Sequence, residues 1–115
     1  MYGKELILDI HDCDETMFTK KNIQLFFDEL CQLIDMEQVQ VHWWEDHMSE
    51  EPHLRGVSAV QFIKTSNITI HTLEKLKTVF INIFSCKDFD ASNAADFTAF
   101  YFSGNVKNHT TIERD

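Results

Sequence analysis

The chain has only three glycines and one proline among its 115 residues. So little conformational punctuation leaves no place for a flexible linker, a low-complexity stretch or a second domain boundary, and one domain over residues 1–115 is expected. Basic residues are scarce too: ten Lys and Arg stand against nineteen Asp and Glu, giving a formal charge of -9. That charge repels phosphate backbones and argues against a nucleic-acid partner, while mildly favouring cationic small molecules. No apolar run approaches the length needed to cross a bilayer, so a membrane is not an expected partner. Cysteine is limited to Cys13, Cys31 and Cys86. With no charged-then-apolar leader ahead of them, these are expected to be reduced thiols of a cytoplasmic protein rather than a disulfide framework.

What the chain does contain is 43% hydrophobic residues, enough for a modest core. From Lys4 to Asp12, Leu6, Leu8 and Ile10 alternate with Glu5, Ile7, Asp9 and His11, the period of a strand with one buried face. Between Lys21 and Met36, the residues Ile23, Phe26, Phe27, Leu30 and Ile34 recur at helical spacing, with Thr19 as cap and Cys31 beside the stripe as a small buried hydrophobe. Gln38 to Trp44 reads as a strand with Val39, Val41 and Trp43 on one side, and Glu45 to Arg55 as a long exposed acidic loop. Gly56–Lys64 and Asn67–Thr72 are two strands with too little chain between them for a crossover, hence an antiparallel hairpin.

Thr78–Cys86 follows as a central strand, apolar on both sides. Ser92–Phe102 is a second amphipathic helix closed by Gly104, and Val106–Ile112 is a weak sixth strand. A coarse repeat of strand, helix, strand, strand is suggested once and then in part. The fold class implied is α/β, a two-layer sandwich in which an antiparallel or mixed sheet carries two helices on one face.

Reactive side chains concentrate around the hairpin. Ser66 stands at its polar break, His71 follows five residues later, and Cys86 lies twenty residues beyond the serine. Singly, each has a bland reading: a turn serine, a hydrogen-bonded strand histidine and a buried thiol. No strand-to-helix elbow or glycine-rich oxyanion loop surrounds Ser66, which disfavours plain hydrolysis. His42, His47 and His53, with the loop carboxylates, lack a metal-ligand spacing, so solvated loop histidines and no metal are expected.

The joint spacing carries more. Gly56-Val57-Ser58-Ala59, Ser66-Asn67-Ile68-Thr69-Ile70-His71-Thr72 and Phe84-Ser85-Cys86 resemble the G-V-S-G, S-H-x-x-I-H-T and F-T-C segments of the bacterial-type S-adenosylmethionine decarboxylase proenzymes, a pyruvoyl-dependent family. The separations between Ser58, Ser66, His71 and Cys86 are those of the family, and a weaker match covers Gly3 to Asp14. The resemblance implies self-cleavage between Thr65 and Ser66 into chains 1–65 and 66–115. The Ser66 hydroxyl would attack the Thr65 carbonyl to form an ester. Loss of the Ser66 α-proton, with His71 as base and Ser58 supporting the geometry, would leave dehydroalanine and then a pyruvoyl cofactor. In turnover that group would act on the amine of a small amino-acid-type substrate, and Cys86 would return a proton to the substrate carbon.

The sequence departs from the family pattern at four positions. Thr65 stands for the usual Glu and Asn67 for the usual His. Leu73 replaces an aromatic and Lys75 a carboxylate, both in what looks like the adenosyl pocket and hence the expected substrate-binding positions. The function implied is decarboxylation of S-adenosylmethionine for polyamine biosynthesis, with two alternatives. One is a shift to ornithine or arginine; the other is a non-processing partner of an active paralogue. The family also implies a homodimer or higher homo-oligomer.

Overall fold

The structure is a computed structural model and describes residues 2–115. It runs β1 (Gly3–His11), a 3-10 turn (Glu15–Met17), α1 (Lys20–Leu33), β2 (Gln38–Asp46), β3 (Gly56–Ile63), β4 (Ser66–Leu73), β5 (Thr78–Ser85), α2 (Ala91–Tyr101) and β6 (Asn105–Arg114). The six strands form one sheet in the order β2-β3-β4-β5-β1-β6. All its pairings are antiparallel. The expected α/β two-layer sandwich is therefore present, and the sheet is antiparallel rather than mixed.

Alternation along the strands sends one set of side chains toward the helices. Leu6, Leu8, Ile10, Val57, Ile68, Ile70, Val79, Ile81 and Ile83 are all buried, and they meet Ile23, Phe26, Phe27 and Leu30 of α1 and Ala94 and Ala95 of α2. The helices are tied to each other by Phe26, which stacks on Phe97 at 5.8 Å, and by Tyr101 Oη, which donates to the Asn22 carbonyl at 2.6 Å. Gln61 is the polar exception on the buried face. It is satisfied by accepting from Gln38 Nε2 at 3.0 Å and donating to the Phe62 carbonyl at 2.8 Å.

The other face of the sheet carries no helix. β5 was expected to be covered on both sides, but Phe80 remains 37% exposed because β5 is internal only in the plane of the sheet. β2 also departs from its expected alternation. Val41 and Trp43 pack on the core, whereas Val39 is exposed because the β2–β3 register breaks between Gln38 and Val41. β2 continues through Glu45 to Asp46, two residues into the expected loop. β6 is longer than its weak pattern suggested: pairing with β1 along nearly its whole length, not burial, makes it a strand. The suggested coarse repeat is present in the element order: β1-α1-β2-β3 gives strand, helix, strand, strand once, and β5-α2-β6 gives its first three members again.

Both helix ends differ from the sequence pattern for stated reasons. Thr19 caps α1 as expected, accepting from Asn22 N at 3.1 Å. The helix stops before Met36 because Asp35 turns left-handed at φ 57°, and Met36 N then bonds back to the Cys31 carbonyl at 2.7 Å. At the end of α2, Ser103 and not Gly104 takes the left-handed position, at φ 54°. Gly104 closes the helix with its N–H on the Ala99 carbonyl at 2.9 Å and also serves close packing: a Cβ there would fall 2.6 Å from Ile10 Cγ2 and 2.8 Å from Cys13 Sγ.

Gly56 is more tightly constrained. A Cβ at this position would lie 1.8 Å from the Thr72 carbonyl oxygen, at the end of the β3–β4 pairing. Gly56→Ala is expected to push the strands apart and cost about 3 kcal/mol, the upper part of the overpacking range. Urea unfolding of the two proteins measures the difference.

Candidate active site

β4 lies between β3 and β5 and fixes two separate groups of side chains. Its pairing sets His71 directly opposite Ser58 on one side and opposite Phe80 on the other. On the helix-free face the Ser58 hydroxyl is hydrogen bonded to His71 Nδ1, and the imidazole stacks on the Phe80 ring with centroids 6.5 Å apart. Trp44 is the β2 partner of Ser58, so Trp44, Ser58, His71 and Phe80 form one row across the strands. A groove of about 260 Å³, bordered by His42, Trp44, Ser58, Val60 and Thr69, opens beside the serine.

The second group is at the start of β4. Lys64 and Thr65 make the two-residue turn of the hairpin, since Ile63 pairs with Ser66. Neither turn residue has positive φ, so this is not one of the primed turns that two-residue hairpins favour. Tertiary hydrogen bonds hold it: Lys64 N donates to the Glu37 carbonyl at 3.0 Å, and Cys86 N donates to the Thr65 carbonyl at 3.1 Å. The Thr65 side chain is held as well, with Oγ1 2.7 Å from Ser85 Oγ. Ser66 pairs with Ser85 across the β4–β5 ladder, and its hydroxyl accepts a hydrogen bond from Asn67 Nδ2 at 3.3 Å.

These contacts make the Thr65–Ser66 peptide a polarised acyl group beside the Ser66 hydroxyl. The carbonyl that Ser66 would attack already accepts an amide N–H, and such a donor aimed at a developing oxyanion is worth roughly two to three orders of magnitude in rate. Cys86 lies one residue past β5 and is exposed, with its backbone N–H on the Thr65 carbonyl. Cys13 and Cys31 are buried, and burial pushes their thiols up to about 11 and about 12, which makes them poor nucleophiles. A cavity of about 490 Å³ lined by Asp35, Met36, Glu37, Lys64, Thr65 and Lys87 adjoins the turn.

The structure thus brings Ser58 to His71, and Thr65 and Ser66 to Cys86. It does not bring the two groups together. Ser66 and His71 are five residues apart on one strand, which at about 3.3 Å per residue is roughly 17 Å, and an odd separation puts their side chains on opposite pleats. Ser85 was not among the sequence candidates. It lies in the same Phe84-Ser85-Cys86 segment as the conspicuous thiol, and its hydroxyl holds Thr65.

A profile of the S-adenosylmethionine decarboxylase family matches residues 4–115. The chain belongs to this family. Two curated S-adenosylmethionine decarboxylase proenzymes, from Saccharolobus islandicus strains L.S.2.15 and M.16.27, are each 29% identical over 85 residues, covering 73% of this chain. The aligned region spans 64% of the length of those relatives. The crystal structure of the adenosylmethionine decarboxylase from Aquifex aeolicus VF5 superposes with a TM-score of 0.75 at 17% identity, over 99% of this chain and 95% of that one. At that identity the likeness is one of fold.

Within this member of the family, the positions that depart from the pattern have local explanations. Leu73 is buried at 2% exposure yet lies outside the main core cluster, at the end of β4 where the β2–β3 loop folds over. Lys75 is engaged by that loop, its Nζ 2.8 Å from Glu50 Oε2 and 3.0 Å from the Glu50 carbonyl. Arg55 Nε and His47 Nδ1 grip the two oxygens of Glu74 at 3.1 and 2.9 Å. His47 also reaches Glu45 at 3.3 Å. The three histidines considered as ligands point to separate partners: His42 to Gln40, His47 to Glu45 and Glu74, His53 to Glu51.

This latch is pH-sensitive by construction. The hydrogen bond to Glu74 raises the His47 pKa, partial burial opposes it, and Glu45 adds to the rise. A histidine whose folded pKa is raised stabilises fully below its ordinary value near 6.5, and the contribution fades as pH climbs through the higher folded value. Because the imidazole is nearly half exposed, the effect should stay within about 1 kcal/mol. Thermal melts at intervals from pH 5 to 9 should show a decline beginning above about pH 6.5. In His47→Ala that part of the decline should vanish.

Proposed function

We propose that this chain is a pyruvoyl-dependent decarboxylase of S-adenosylmethionine, matured by cleavage of its own Thr65–Ser66 bond. The observation that carries the reading is the Cys86 N–H on the Thr65 carbonyl, which prepares this one peptide for attack by the adjacent hydroxyl. The Ser66 oxygen adds to the Thr65 carbonyl carbon, the C–N bond breaks, and an ester with a free Ser66 amine results. Removal of the Ser66 α-proton then breaks the Cβ–O bond, releasing Thr65 as a carboxylate. Tautomerisation of the residual enamine and hydrolysis, with one water in and one ammonia out, leave the pyruvoyl end on residue 66.

The interleaved sheet explains how such a cut is tolerated. Residues 1–65 supply β1, α1, β2 and β3, and residues 66–115 supply β4, β5, α2 and β6. The order β2-β3-β4-β5-β1-β6 alternates between these pieces at three seams. The fragments would remain one folded unit.

The pyruvoyl group, once formed, supplies a carbonyl for the substrate amine and a conjugated sink for the electrons released with carbon dioxide. Cys86, exposed one residue past β5, is the candidate that returns a proton to the substrate carbon. His71 is the candidate base for the α-proton, held in orientation by Ser58 and Phe80. Its separation from Ser66 along β4 supports a homodimer in which each chain completes the other's site. The helix-free face exposes Trp44, Phe62 and Phe80, an apolar surface suited to a second sheet about 10 Å away. A two-fold axis parallel to the sheets and crossing β4 near its middle would bring His71 of one chain over the backbone at residue 66 of the other, on the pleat opposite the Ser66 side chain.

S-adenosylmethionine is favoured over ornithine or arginine because the family profile and the motif spacing are those of S-adenosylmethionine decarboxylases; the Lys75–Glu50 pair weakens the repulsion that a free lysine would exert on any of these cationic substrates. Intact-mass spectrometry should show wild-type protein resolving into two chains, with Ser66→Ala remaining whole. Processed enzyme should release carbon dioxide from S-adenosylmethionine and from neither amino acid. A wild-type chain that stays full length would favour a non-processing partner instead, and release from an amino acid alone would reassign the substrate.

A further inference from the structure

We infer that Ser85 is a positioning residue for self-cleavage, clamping Thr65 so that the scissile carbonyl stays on the Cys86 N–H; this rests on the cleavage reading given above. Two consecutive residues at the end of β5 hold the same residue on the acyl side of the bond. Cys86 holds its carbonyl oxygen at 3.1 Å and Ser85 its side-chain oxygen at 2.7 Å. Fixing both atoms restrains rotation of the Thr65 peptide plane as well as its position.

The chemistry at position 85 requires a hydroxyl. Ser85 is fully buried, and its oxygen accepts from Lys87 N at 3.0 Å, leaving one O–H to donate. Thr65 Oγ1 and Ser85 Oγ both lie within reach of Met36 Sδ, at 3.5 and 3.7 Å. Either Ser85 donates to Thr65 and Thr65 to the sulfur, or Thr65 donates to Ser85 and Ser85 to the sulfur. Both arrangements use every O–H, and neither survives replacement of the serine by an apolar side chain. The ladder reinforces the placement. The Cys86-to-Thr65 bond makes 65 and 86 a hydrogen-bonded pair, so Ser66 and Ser85 form the next, non-hydrogen-bonded pair, the narrow kind in which side chains approach closely. Ser85 therefore sits directly across from the nucleophile while holding the residue that the nucleophile attacks.

The clamp also accounts for the threonine at the cleavage position. A β-branched residue has few χ1 choices, and one hydrogen bond to its hydroxyl fixes the side chain and the carbonyl together. The nearby cavity behind Met36 and Thr65 leaves space into which an unclamped Thr65 would swing, away from Cys86.

The experiment follows the two steps of cleavage in wild type, Ser85→Ala, Ser85→Thr, Thr65→Val and the Thr65→Val/Ser85→Ala double variant. Hydroxylamine traps the ester and so reports the first step, while intact mass reports fragments. Loss of orientation should slow ester formation roughly ten- to a hundredfold in Ser85→Ala and in Thr65→Val. The double variant should be no slower than either single one, since both remove the same contact. Ser85→Thr, which keeps the hydroxyl, should retain cleavage. Thr65→Val removes the bond from the turn side, so the test does not depend on Ser85→Ala folding well. A wild type that cleaves while Ser85→Ala or Thr65→Val forms ester equally fast overturns the clamp alone, as do single effects that multiply in the double variant. A wild type that never cleaves removes the reading beneath it, and the clamp with it.

Discussion

The register of β4 is the constraint on which the rest depends. One alignment, Ser58 opposite His71 and Ser66 opposite Ser85, orients the imidazole on the helix-free face and simultaneously seats the Thr65–Ser66 peptide beside Cys86. A slip of one residue against either neighbour would turn every β4 side chain to the other face, exposing Ile68 and Ile70 and burying His71. The apolar core that stabilises the sandwich is therefore also what indexes the chemistry. Gly56, Thr72 and Gln61 defend the same register at the β3–β4 seam: a glycine that admits the Thr72 carbonyl, a threonine hydroxyl that bonds both Val57 N and O, and a buried amide that is fully paired.

From that register follows a division of labour. The turn end of the hairpin holds an acyl group, a hydroxyl and a thiol, and the middle of the sheet holds a serine-anchored imidazole on an aromatic ring. Strand geometry keeps the two about 17 Å apart in one chain. Under the proposed maturation, a monomer could polarise the Thr65 carbonyl but would have no imidazole at the Ser66 α-proton. An exposed apolar sheet face and a self-complementary two-fold arrangement offer the simplest route to closing that gap, because an isologous contact brings each chain's unused group to the other's incomplete one.

Much of this was legible in the sequence because it rests on period and spacing. The alternations in Gly56–Ile63 and Ser66–Leu73, with almost no chain between them, required a hairpin, and the helical stripe from Ile23 to Leu30 required a covering helix. Ser58 and His71 were both candidates, and their pairing follows from hairpin arithmetic alone. Less legible were features set by tertiary contact. β6 has no buried residue and is made a strand by β1, Gly104 is required as a glycine by the closeness of Ile10 and Cys13, and the loop after β2 is held by Glu74 and Lys75, next to the buried Leu73. Five residues of extended chain put Ser66 and His71 on opposite pleats, a consequence of period and not of residue type. Ser85 carries no distinctive sequence signal beside Cys86, the more conspicuous reactive group.

The claim that the imidazole comes from a second copy can be tested by mixing two inactive chains. Ser66→Ala keeps His71, and His71→Ala keeps Ser66, so neither should complete cleavage alone. Co-refolded at equal concentration, they should yield cleavage in the His71→Ala chain only, which a mass tag on one variant would identify. Cleavage in the mixture confined to that chain is the predicted result. An intact mixture, under conditions where wild type cleaves and the two variants demonstrably associate, would contradict the shared site and return His71 to some other role.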